Sequence, residues 1–346
     1  MKAREKITLF AALAICMLGW QAPADAQSLR KISIAEPGKL FLYIPLYYAI
    51  DRGYFAKEGL DVEMLTAGRR DLAMTAVIAG QAFASVHDPV EAALARSRGA
   101  RVKIIAPVVI APANWLVADK DITQDQKTWR GKVIALSVPP NTQYSIFMKE
   151  LREGGWTQVD PTTYRLGADN DPARYLKFLL GAFGADLALV MTGKANMALM
   201  LEPGVSTVEQ KAGKHIIKDY PAALGPFLFS SINVSEETIQ RDRETVQKLL
   251  NAMGAAFRYA YTHPDDLAQV AMKRYPDIDP KIVESGVKRM VKANSFTTDV
   301  LFTKASFEKN MEFLAIGQPE SPALKVKWED VADTSFAEHA AKGGGK

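Results

Sequence analysis

The side chains best suited to hold a small anion stand at chain breaks that follow strand-like stretches. They are Lys39, Leu40, Phe41 and Tyr43 after the first stretch, Gly68, Arg69 and Arg70 after the second, and His87 and Asp88 after the third. Asn141, Thr142 and Gln143 follow a later strand, and Glu202 follows another. Lys39, Arg69 and Arg70 would make a cleft positive, while Phe41, Tyr43 and Trp115 would suit a ring or an apolar body. Asn141 and Thr142 precede a helical stretch, where they can cap it and still offer backbone N–H groups to an anion. Each position also has a plain structural role. Phe41 and Tyr43 can pack under a helix, Arg69-Arg70 can be a solvated turn, His87 can be a satisfied core histidine, and Asp88 is a helix cap.

Catalytic chemistry is nearly absent. The four histidines, His87, His215, His263 and His339, are scattered, and none belongs to an H-E-x-x-H pair. Thr192-Gly193-Lys194 lacks the upstream glycine spacing of a phosphate loop, and Ala195 replaces the needed hydroxyl. Ser306-x-x-Lys309 has no accompanying S-D-N or K-T-G and sits mid-helix. No G-x-S-x-G and no G-x-G-x-x-G occurs. No catalytic residue, metal site or cofactor is expected.

The first residues read as a leader. Lys2, Arg4 and Lys6 precede a mostly apolar run from Ile7 to Trp20, and Ala24-x-Ala26 forms a small-residue cleavage site. The run is shorter than the ~20 residues of a membrane-spanning helix. A signal peptide over residues 1–26 implies export to the periplasm. The one cysteine, Cys16, lies inside it, which removes disulfides and thiolate chemistry from the mature chain; Ile15 before it fits a lipidation site poorly. Of the 43 basic and 39 acidic residues, Lys2, Arg4, Lys6, Glu5 and Asp25 fall there, leaving 40 and 37 and a net charge of +3. That near-neutral balance, without a dense Lys/Arg run, argues against nucleic acid as a partner. The 346 residues suggest two domains, and a 48% hydrophobic content supplies a core.

Strand and helix patterns alternate over most of the chain, which predicts an α/β fold with mostly parallel sheets flanked by helices. Lys31–Ala35, Asp61–Leu65, Ala82–Val86 and Val102–Ile110 read as strands, and Asp88-Pro89-Val90-Glu91 reads as a capping box with proline at the first helical position. Lys132–Val138, Tyr164–Gly167, Asn196–Leu201, Ile216–Lys218 and Phe227–Asn233 read as further strands, and Pro172–Leu180 as a helix. The last third is helical, with Val246, Leu249, Leu250, Met253, Phe257 and Ala260 on one face and Ile282, Val283, Val287 and Met290 on another.

One stretch is more specific. Pro45-Leu-Tyr-Tyr-Ala-Ile-Asp-Arg-Gly-Tyr-Phe-Ala-Lys-Glu-Gly-Leu-Asp-Val-Glu63 resembles the opening of solute-binding proteins of nitrate/sulfonate/taurine-type ABC importers. Ile78-Ala-Gly-Gln-Ala-Phe-Ala84, Trp129-Arg-Gly-Lys-Val-Ile-Ala135 and Thr192-Gly-Lys-Ala-Asn-Met-Ala-Leu-Met-Leu-Glu-Pro203 resemble later segments of the same family in the same order; Asn196 stands where Asp is usual. The resemblance implies a two-lobed type 2 periplasmic-binding fold with two crossovers. Lobe 1 would be residues 28–115 plus 229–340, and lobe 2 residues 116–228. It implies capture of a small organic anion (sulfonate, nitrate or carboxylate class) by a monomer and delivery to an ABC permease and its ATPase. An aromatic or heterocyclic nutrient such as a vitamin precursor, or a ligand-sensing module of the same fold, stays open. Related thiamine-pyrimidine synthases are intracellular and carry a cysteine-rich motif and an iron-binding His, features from which this chain departs.

Overall fold

The computed structural model describes residues 28–139, 141–182 and 184–343; the leader and Cys16 lie outside these. Two sheets form the frame. The first has the order β2-β1-β3-β12-β4 and contains β1 (Arg30–Glu36), β2 (Leu60–Thr66), β3 (Ala84–His87), β4 (Val102–Val109) and β12 (Ser230–Ser235). The second has the order β11-β5-β10-β6-β9-β8-β7. It contains β5 (Trp115–Ala118), β6 (Val133–Ser137), β7 (Trp156–Asp160), β8 (Thr163–Leu166), β9 (Leu176–Gly181), β10 (Met197–Met200) and β11 (His215–Asp219). Residues 110–114 carry the chain from the first sheet to the second, and residues 220–229 carry it back.

The expected α/β class holds, but parallel pairing is less extensive than the sequence suggests. It is confined to β1 with β2 and β3, and to β6 with β9 and β10. β12 and β5, which adjoin the connecting segments, run antiparallel to their neighbours, and so do β7 and β8. β4 is buried along nearly its whole length, as a strand covered on both faces should be. It tolerates Pro107 because it lies at the sheet edge.

The segment expected as a helix at Pro172–Leu180 is a 3-10 turn, Pro172–Arg174, followed by β9. Asp171 does cap the turn, accepting from the Ala173 N–H at 3.0 Å. Beyond it, however, buried Leu176 and Phe178 alternate with exposed Lys177, a period of two rather than 3.6.

The C-terminal helices tie the two sheets together. Arg243–Thr262 buries all six residues of its expected stripe and packs under the Ile44–Asp51 helix. Pro280–Lys292 reaches the Gly204–Ala212 helix that follows β10, and Lys304–Gly317 lies along Thr142–Glu153. Thr303 caps that last helix by a reciprocal bond with Ser306. Among the described residues, no helix is long and apolar enough to cross a membrane.

Candidate functional site

A cleft of about 580 Å³ opens between the two sheets. Nine of the thirteen residues expected at a site line it: Leu40, Tyr43, Gly68, Arg69, Arg70, Asp88, Asn141, Thr142 and Gln143. The N-termini of three helices, Arg70–Ile78, Pro89–Ser97 and Thr142–Glu153, converge on it.

Four expected residues face elsewhere, each for a packing reason. Lys39 is exposed, with its ammonium 5.1 Å from the centroid of the Tyr275 ring. Phe41 is buried against the same ring, 4.7 Å between centroids. His87 is fully buried, with Nε2 2.9 Å from the Ser85 hydroxyl and Nδ1 3.0 Å from the Asp88 carbonyl. A carbonyl can only accept, so Nδ1 carries the proton and Nε2 accepts from Ser85. Burial pushes the His87 pKa down to about 4, which keeps the ring neutral. Glu202 is buried and ion-paired with Arg289, whose Nε lies 2.6 Å from its carboxylate.

The charge in the cleft also differs from the sequence expectation. With Lys39 outside, the lining holds Arg69, Arg70 and Arg98 together with Asp71, Asp88 and Glu91. Every one of these lies in the first-sheet half. The second-sheet half contributes neutral residues, among them Ser137, Val138, Gln143 and Leu201. Arg69 is 70% exposed and donates to the carboxylate of Asp71 at 3.0 and 2.6 Å, holding that acid below its ordinary range. Arg70 is half-buried, and its charge opposes the rise in the pKa values of Asp88 and Glu91.

Asp88 performs two tasks. One oxygen accepts from the Val90 N–H at 3.0 Å and caps the Pro89–Ser97 helix. The other accepts from the Thr142 hydroxyl across the cleft. Burial raises its pKa, against the opposing effects of Thr142 and Arg70. Glu91 completes no capping box. It lines the cleft instead, and burial, aided by Asp88, lifts its pKa to about 7. Replacing Thr142 by Val should cost about 1.5 kcal/mol, because a buried carboxylate oxygen then loses its donor. Urea denaturation of the variant measures this. A loss below about 0.5 kcal/mol would mean that the cross-cleft bond does not hold the halves together.

Asn141 spends its side chain locally. Its oxygen accepts from the Tyr144 N–H at 2.7 Å, and its amide donates to the Val138 carbonyl at 2.9 Å. Gln143 donates to the Leu199 carbonyl. Asn114 is different. It lines the cleft, is fully buried, and neither its Nδ2 nor its Oδ1 has a partner. The sequence reading missed it, although a signal exists: between Val102 and Ala118, only Lys103 and Asn114 interrupt an apolar run.

Comparison with known proteins bears on the family likeness and the fold. Residues 41–173 match the family model described as "NMT1/THI5 like". The protein YtlA of Bacillus subtilis is 23% identical over 307 residues, covering 87% of this chain and 86% of its own. The 4-amino-5-hydroxymethyl-2-methylpyrimidine phosphate synthase of Aspergillus parasiticus is 25% identical over 266 residues, covering 73% and 72%. Among solved structures, the periplasmic nitrate-binding protein NrtA of Synechocystis PCC 6803 superposes with a TM-score of 0.67 at 12% identity, over 91% of this chain and 89% of that one. Residues 41–173 are therefore an NMT1/THI5-like segment, carried in a chain with the two-lobed fold of periplasmic binding proteins.

Proposed function

We propose that this protein is the extracytoplasmic substrate-binding component of an ABC importer. It captures a small anion of the sulfonate, nitrate or carboxylate class between its lobes and delivers it to a permease. In this reading lobe 1 is residues 28–115 plus 229–340, lobe 2 is residues 116–228, and the mature protein works as a periplasmic monomer. The observation that carries it is the convergence of three helix N-termini and Arg70 on one cleft walled by both sheets. Helix N-termini present unpaired N–H groups and partial positive charge, which suit an anion. The apolar lining, with Leu40, Leu42, Leu94, Val138 and Phe229, suits an organic body attached to it.

A thermal-shift panel of sulfonates, nitrate and carboxylates tests the reading. At least one class should raise the melting temperature of the wild type without being consumed. Arg70→Gln should weaken that compound about tenfold. A panel without a shift, or an unchanged affinity in a folded Arg70→Gln protein, removes the anion reading.

A further inference from the structure

Asn114 is a cleft residue whose side-chain amide is left unused at both ends, and the buried Ser230 hydroxyl is a second unpartnered group in the same lining. The relative exposure of Asn114 is 0%, and both ends of its amide are unpartnered. It sits in the segment 110–114 that links β4 to β5, so its backbone is tied to the frame rather than to a surface loop. Its own N–H bonds the Pro112 carbonyl, and its carbonyl accepts from the Tyr220 N–H at 3.3 Å. The other amide side chains in the wall are committed, Asn141 as a cap and Gln143 through its donor to Leu199. A buried amide with neither donor nor acceptor satisfied destabilises the fold, because each end has lost its water without gaining a partner. Such a group persists where a ligand satisfies it.

We propose that Asn114 is a specificity-determining residue for the ligand, which presents to it an acceptor next to an N–H or O–H donor. This inference rests on the anion reading and narrows it. An amide offers one donor end and one acceptor end. Nitrate and alkyl sulfonates offer acceptors alone, and would leave Oδ1 of Asn114 stranded in the closed cleft. The ligand class is therefore a small organic anion that also carries a neutral donor–acceptor edge, as a carboxamide does. The anionic end belongs to Arg70 and the helix N-termini, and the neutral end to Asn114.

Matched probes read this directly. Succinamate and 4-carbamoylbenzoate carry a carboxylate and a carboxamide, whereas levulinate and 4-acetylbenzoate replace the amide NH2 by methyl. Calorimetry on the wild type should show at least one amide binding about tenfold more tightly than its ketone. Asn114→Leu should erase that preference. A second measurement needs no ligand. Leucine is close to asparagine in shape and carries no unmet polar atom, so unliganded Asn114→Leu should melt about 2 °C higher than the wild type. A lower melting temperature would make Asn114 a structural residue and overturn the proposal. Equal binding of amide and ketone, absence of binding by both, or nitrate and methanesulfonate binding as tightly as the amides would overturn it too. In the last case the anion reading survives alone. If Arg70→Gln leaves every bound probe unaffected while Asn114→Leu erases the amide preference, the anion reading fails instead.

Discussion

Replacing Arg289 by Met should destabilise the protein by about 3 kcal/mol at pH 7.5, with part of the loss returning in acid. The reason lies in Glu202, which follows β10 and whose side chain has 0% exposure. Its carboxylate accepts from the Ser206 N–H at 3.0 Å and the Ser206 hydroxyl at 2.9 Å. Its charge is balanced by Arg289, whose Nε donates to it at 2.6 Å and which also pairs with Glu209. Arg289 belongs to the Pro280–Lys292 helix, so the pair fastens the C-terminal helices to the second-sheet half. Burial raises the Glu202 pKa, and Arg289 is among the groups opposing that rise. Without the arginine, a buried carboxylate keeps only Ser206, and its pKa climbs further. The unfolded chain releases this proton near 4.5. The folded variant holds it to a higher pH, so the variant's stability is greatest below 4.5 and falls as pH rises through its folded-state pKa. Urea denaturation at pH 7.5 and pH 5 measures both effects. The double variant Glu202→Gln with Arg289→Met should be less damaged than Arg289→Met alone, since no buried charge is then orphaned. A single variant that loses less than about 1 kcal/mol, or whose loss does not depend on pH, would show that the pair contributes little.

The same residue marks the limit of what the sequence discloses. The sequence puts Glu202 after a buried strand, which is β10 in the structure, and from there expects it at the cleft. The ion pair that occupies it comes from a residue 87 positions away, and no local pattern announces such a partner. Lys39 and Phe41 turn in the same way toward a distant partner, Tyr275 of the C-terminal third. What could be read were local features: the strand ends, the Asp88-Pro89 helix start, a cap at Asn141 or Thr142, which the structure assigns to Asn141, and the amphipathic stripes after Arg243. These depend on backbone hydrogen bonds and periodicity within a few residues. The sign of the charge in the cleft was not legible, because it depends on which acids fold inward. Asp71 reads as the start of a helix and Glu91 as the last residue of a capping box, yet both line the cleft.

Glu91 gives the second large effect. The stability contributed by Glu91 should fall by about 3 kcal/mol as pH rises from 4.5 to 7, and Glu91→Gln should remove that part of the pH dependence. The carboxyl lies on the first turn of the Pro89–Ser97 helix. Burial is the main cause of its rise from 4.5 to about 7, with Asp88 and Asp71 adding to it and Arg70 and Arg98 opposing. Between these two values the folded state binds more protons than the unfolded chain. The contribution is complete below 4.5, is lost as pH rises to about 7, and is flat above. Glutamine copies the protonated shape at every pH, so the variant should be the more stable protein at pH 8. The consequence for binding follows from the lining. An anion seated beside Arg70 in this cleft would repel an ionised Glu91, so the wild type should bind anions more weakly at pH 8 than at pH 6, while Glu91→Gln binds equally at both. Denaturation across pH 4.5–8, with calorimetry at the two higher values, separates the stability effect from the binding effect. Parallel stability curves for the two proteins would show that Glu91 titrates as an ordinary glutamate, and both expectations would fall together.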